Sequence, residues 1–114
     1  MKTETIDIGQ NFSDVPSGRF PEDGEFNGQR FRQEILVPAL RRSERVNVDI
    51  DHTEGYGSSF LEEAFGGLIR HEGFAKKELD AKLVVISNQP RTARYKRKIE
   101  QYLVKAEIAA EAAR

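Results

Sequence analysis

Asp49, Asp51, His52 and Glu54 fall within six residues, and Gly55, Tyr56, Gly57, Ser58 and Ser59 follow directly. Carboxylates and an imidazole packed this closely are ligand types for a divalent cation. A glycine-rich loop that opens a helix can cradle an anion on free backbone N–H groups. A serine at such a helix start can be a nucleophile, a cap or a phosphate acceptor. Asp49 and Asp51 share one face of a strand, so both carboxylates could point at one ion. The more ordinary use of such residues is a solvated strand face, so no metal and no cofactor is expected.

Nucleotide chemistry has little support in this stretch. A phosphate-binding P-loop needs a lysine before its Ser or Thr, and residues 46–70 contain none. The dinucleotide fingerprint lacks its third glycine. Serine hydrolysis fails on spacing too, because Gly57-Ser58-Ser59-Phe60-Leu61 does not fit G-x-S-x-G. The available bases, His52 and His71, read as loop or surface residues. No enzyme is expected. Ser58 and Ser59 remain either an N-cap or phosphate acceptors, since a phosphate there would meet the helix dipole.

A second charged feature lies near the C-terminus, where Arg91, Arg94, Lys96, Arg97, Lys98 and Lys105 face only Glu100. Residues 1–57 carry a net −4 and residues 58–114 a net +3, leaving −1 for the 114-residue chain. A nucleic-acid interface is disfavoured by that balance, and Tyr95 and Tyr102 fall on the stripe expected to be buried. A solvated face, or failing that an acidic protein partner, is the better reading of these cations.

The elements that must position these groups alternate between strand and helix. Ile6 and Ile8 alternate with Thr5 and Asp7, predicting a strand over 5–8. The segment SDVPSGRFPEDGE reads as a loop, with room for a very short strand at Arg19 and Phe20. Asn27 is placed to cap a helix whose stripe is Phe31, Ile35, Leu36, Ala39 and Leu40. Pro38 predicts a kink or an end in that helix. Val46, Val48 and Ile50 alternate with Asn47, Asp49 and Asp51, so this strand should have helices on one side and a polar second face. A helix from Ser58 or Ser59 carries Phe60, Leu61, Ala64, Phe65, Leu68 and Ile69, with Glu62, Glu63 and Arg70 outside. Gly66 and Gly67 suit close approach to the sheet. Leu83 to Ile86 reads as a buried central strand, and a last helix runs over about 92–112. This alternation predicts one α/β domain over 1–114 with a mostly parallel sheet. With no cysteine, disulfides and thiolate chemistry are excluded. MKTETIDIG lacks the layout of a signal peptide, and no apolar run spans a bilayer, so a cytoplasmic protein is expected.

The blocks FSDVPSGRF, EDGEFNGQRFR, LVPAL and above all GYGSSFLEEAFGGLIR resemble the STAS-like family of domains of unknown function, found in bacteria, phages and mobile elements. The likeness runs from about Phe12 to Arg70. It implies a fold similar to soluble anti-sigma factor antagonists: a four- to five-stranded mostly parallel or mixed sheet, with helices packed mainly on one face. In those antagonists a serine or threonine at a strand-to-helix turn is phosphorylated by a histidine-kinase-like ATPase, and phosphorylation releases that kinase. Asp51 and Ser58/Ser59 occupy comparable places, with a six-residue connection between them. The resemblance therefore implies a non-enzymatic regulatory domain that binds a protein partner, such as that ATPase or a serine kinase. Its phospho-acceptors would be Ser58 or Ser59. The residues themselves suggest a docking surface at Gly55, Tyr56 and Gly57, with Asp51 closing the strand and Arg19 and Asp23 nearby; Tyr56 is expected either as an exposed aromatic anchor or tucked back onto the sheet. The alternatives are a nucleotide- or small-anion-binding module using the same loop, and a nucleic-acid-associated protein.

Overall fold

A computed structural model describes residues 2–114. Three strands, β1 (Thr3–Asp7), β2 (Arg45–Asp49) and β3 (Leu83–Ile86), form one parallel sheet in the order β1-β2-β3. The register pairs Ile6 with Val48 and Val48 with Val85, so these three side chains share a face. On that face Val46, Val48 and Ile50 are fully buried, whereas Asn47 and Asp49 on the opposite face are half-buried. The one-sided alternation expected for β2 is thus present.

The helices supply the cover. A single turn, α1 (Ile8–Asn11), follows β1. Next comes α2, a continuous helix made of Gly28–Phe31, a wide π turn Arg32–Leu36, and Val37–Arg42. After β2, helix α3 repeats that plan with Ser58–Leu61, a π turn Glu62–Gly66, and Gly67–Arg70. Short α4 (Lys76–Lys82) leads into β3, and the long α5 (Ala93–Ala112) lies against α3. Asn27 caps α2 as expected, its side chain accepting from the Arg30 N–H at 2.8 Å. The core joins Phe31, Phe60 and Phe65 of α2 and α3, with Phe12 edge-on to Phe31 at 5.3 Å between centroids.

Four expectations change. The sheet has three strands among the described residues, not four or five, and Arg19–Phe20 form none; the turn there is a 3-10 turn, Pro21–Asp23. β3 is an edge strand, and Val84 is 36% exposed. Pro38 does not end α2, because the π turn lies just before it. A wider turn moves the Glu34 carbonyl that a proline would otherwise crowd. Finally, Glu63 is buried, 1% exposed, not on an outer helix face. A uniform 3.6-residue period does not follow an i→i+5 turn, which rotates the residues around it.

Candidate functional site

The loop between β2 and α3 runs over the carboxyl ends of β1 and β2, where open parallel sheets place their ligands. Its first anchor is Asp51, 3% exposed. The carboxylate accepts the Asn88 N–H at 2.9 Å and the Thr92 hydroxyl at 2.6 Å. Burial pushes its pKa up, but those hydrogen bonds outweigh it and hold the group below its ordinary value. Arg91 completes the clasp, donating to the backbone carbonyls of Asp51 at 2.6 Å and Thr53 at 3.1 Å. Asp51 therefore ties the loop after β3 to the loop after β2. It offers no free carboxylate to a partner, a correction to its expected place on the docking surface.

Asp49 does not join Asp51 in facing one ion, because the chain turns after β2. Its neighbours are Asp7, the facing residue at the end of β1, and His52; one donor atom from each of the three lies within 4.8 Å of the others. His52 Nδ1 stands 2.6 Å from Asp7 Oδ2, and this hydrogen bond raises the imidazole pKa above its ordinary value. Glu54 and Asp51 are outside the group. Asp7 was hidden in the sequence because it lies 42 positions from Asp49, and only parallel pairing brings the two together.

Gly55 and Tyr56 shape the rest of the loop. Gly55 has φ +154°, and a Cβ there would sit 3.1 Å from the Tyr95 hydroxyl, so a side chain would be both strained and crowded. Tyr56 is half-buried and tucks back, donating its hydroxyl to the Ile50 carbonyl at 3.0 Å. Its ring lies edge-on to Tyr95 at 5.1 Å, and burial drives its pKa well above the usual tyrosine range. Of the two placements expected for Tyr56, an exposed anchor or a ring tucked back onto the sheet, it takes the second and fixes the loop to the sheet end and to α5.

Ser58 and Ser59 are both exposed, and neither is the cap. Gly57 holds the N-cap position with extended φ and ψ, and no side chain caps the helix. Gly57 accepts the Leu61 N–H through its carbonyl at 3.2 Å, while the N–H groups of the first turn face the loop. Ser58, Tyr56, Tyr95, Arg94 and Lys98 line one pocket of about 190 Å³. Two cations of α5 thus line the same pocket as the serine that opens α3. Sequence reading missed them, having assigned Arg94 and Lys98 to a solvated face; the helical spacing of Arg94 and Lys98 was the available signal.

Arg19 and Asp23 do not line this pocket. Arg19 bridges Glu62 at 2.5 Å and Glu63 at 3.0 Å on the π turn of α3. Asp23 closes its own loop, accepting the N–H groups of Arg19 and Phe20 at 3.1 and 3.0 Å. Glu62 and Glu63 also receive Arg70, and Glu63 receives Arg32 at 2.6 Å. Gly67 exists for this network: a Cβ there would fall 2.1 Å from the Arg32 guanidinium. Close approach is what this glycine provides, as expected, but to an arginine of α2 and not to the sheet.

No helix among the described residues is long and apolar enough to cross a membrane. No curated protein and no solved structure matches the chain. The family described as a STAS-like domain of unknown function matches residues 27–93, from the cap of α2 through β3 to the start of α5. That span holds the GYGSSF loop, the Asp51 clasp and both π turns, and leaves the FSDVPSGRF segment outside it. A three-stranded parallel sheet with helices and this match over more than half its length make the chain a member of the STAS-like domain family of unknown function.

Proposed function

We propose that this chain is a non-enzymatic regulatory domain that binds a partner protein through the Gly55–Ser59 loop and the adjoining face of α5, with Ser58 as its phosphate acceptor. One observation carries the reading: Ser58 is exposed, free of any capping role, and shares a pocket with Arg94 and Lys98. A phosphate on Ser58 would gain charge-assisted hydrogen bonds from these cations and favourable interaction with the N-terminus of a helix over 58–70. It would also turn a basic pocket into a neutral or acidic one. A partner selected by the basic form would then be released. Ser59 is the secondary acceptor, exposed in the same turn.

The test is capture from a lysate of the native host with ATP present, comparing wild type with Ser58→Ala and with Ser58→Glu/Ser59→Glu. The expected result is a kinase or ATPase held by wild type and Ser58→Ala, lost by the glutamate variant, with phosphate mapped to Ser58 of the wild-type bait. Identical captures by all three baits, with no phosphate on either serine, would remove the switch.

The same pocket supports a second reading, a small-anion module, because two cations and a helix N-terminus are anion-binding elements without any kinase. A rise in Tm with inorganic phosphate or a nucleotide, abolished by Arg94→Ala/Lys98→Ala, would favour it.

A further inference from the structure

β3 has the composition of an interior strand and the position of an edge. Ile86 gives its carbonyl to the Ile50 N–H at 3.1 Å. Alternation then turns the N–H and C=O of Val85 to the outer side, where no strand pairs with them among the described residues. An apolar edge of this kind is a template for strand addition unless something blocks or covers it. No charge, proline or bulge interrupts Leu83-Val84-Val85-Ile86.

Beside this edge a groove of about 530 Å³ runs between β3 and α5, lined by Leu79, Leu83, Val85, Ile99 and Leu103. Its charged rim is lopsided. Asp80 and Glu100 share Lys76, whose Nζ lies 2.9 Å from each, so one of their two negative charges is offset. Lys96 and Arg97 on the α5 side are exposed, and neither pairs with a carboxylate among the described residues. The groove therefore presents an apolar floor, with Lys96 and Arg97 unpaired on its α5 side and a rim that is positive by one charge when Lys76, Asp80 and Glu100 are counted.

We propose that the free edge of β3 and this groove receive an extended acidic segment of a partner protein, which adds to the sheet as a fourth strand. Main-chain hydrogen bonds to Val85 would set its position, apolar side chains would enter the groove, and carboxylates would meet Lys96 and Arg97. This surface is separate from the Ser58 pocket, and the proposal stands without any phosphorylation. A second copy of the chain is the weaker occupant, since its own β3 edge would bring the same net positive rim to the contact.

The probe is a capped seven-residue peptide with three central valines flanked by two glutamates at each end, followed in amide NMR spectra. Saturable shifts are expected at Val84, Val85 and Ser87 and on the first half of α5. Methylating the central valine nitrogens of the peptide should abolish binding, because it removes the donors a strand needs. Lys96→Glu/Arg97→Glu should weaken the glutamate peptide at least tenfold and admit its lysine counterpart; both substitutions are on the surface. Equal binding of the lysine peptide to wild type, or shifts confined to the Ser58 pocket, would overturn the proposal. So would β3 shifts that depend on protein concentration without peptide, which would assign the edge to a second copy.

Discussion

Arg32 and Glu63 face each other from the π turns of two packed helices, 2.6 Å apart and with side chains only 3% and 2% exposed. The same guanidinium nitrogen donates to the Glu63 backbone carbonyl at 2.6 Å, and Arg32 Nε reaches Glu72 at 3.0 Å. One buried cation therefore joins α2, the middle of α3 and the chain beyond it.

Removing one partner leaves the other charge buried and uncompensated. Glu63→Gln or Arg32→Met should each lower stability by about 3–5 kcal/mol, and the pair Arg32→Met/Glu63→Leu should recover most of that loss. Urea unfolding curves measure both. A single variant as stable as wild type would mean that water reaches this pair.

Gly67→Ala sets two effects of opposite sign against each other. Alanine favours a helix over glycine by about 1 kcal/mol. Here the new methyl would lie 2.1 Å from the Arg32 guanidinium, which has nowhere exposed to go. Overpacking costs typically about 1–3 kcal/mol, so the variant should be destabilised, with a lower Tm in calorimetry. Gly57→Ala is the control, because its Cβ would meet nothing within 4 Å.

Acid should unfold this protein through the same network. Burial raises the Glu62 and Glu63 pKa values, but hydrogen bonds and charge from Arg70, Arg19 and Arg32 hold both below the ordinary 4.5. Their contribution is complete above pH 4.5 and is lost as pH falls through the folded-state values. His52 behaves in the opposite sense. Its hydrogen bond to Asp7 raises it above 6.5, so its contribution is complete below pH 6.5 and fades as pH rises through the folded value. Urea midpoints should therefore fall below pH 4.5 and decline gently above 6.5, and His52→Gln should remove only the alkaline decline. An acid limb that stays flat would contradict the assignment.

Thr92 and Asp51 give a test of the clasp between loops. Thr92 is fully buried and donates to Asp51 Oδ1 at 2.6 Å. Thr92→Val removes a hydrogen bond to a charged group, worth about 1.5–3 kcal/mol. Amide exchange should then quicken at Asn88, whose N–H also binds Asp51. Unchanged exchange would show that Arg91 and the direct Asn88–Asp51 hydrogen bonds hold the two loops together without Thr92.

The amino-acid sequence by itself determined the alternation of strand and helix, the cap at Asn27, the one-sided burial of Val46, Val48 and Ile50, and the family, because each depends on residue types close together in the chain. It also marked the GYGSSF turn as the place to look. Tertiary structure decided which groups meet there. Arg94 and Lys98 share a pocket with Ser58 across 36 and 40 positions, and Asp7 joins Asp49 only through parallel pairing. Asp51 and Tyr56 looked like surface residues because their anchors, Asn88, Thr92 and Tyr95, come from a later segment. The wide turns of α2 and α3 escaped any uniform period, and with them the burial of Glu63. Local propensity and periodicity extend over a few residues; hydrogen-bond partners and edge positions follow from how distant segments pack, which no short window contains.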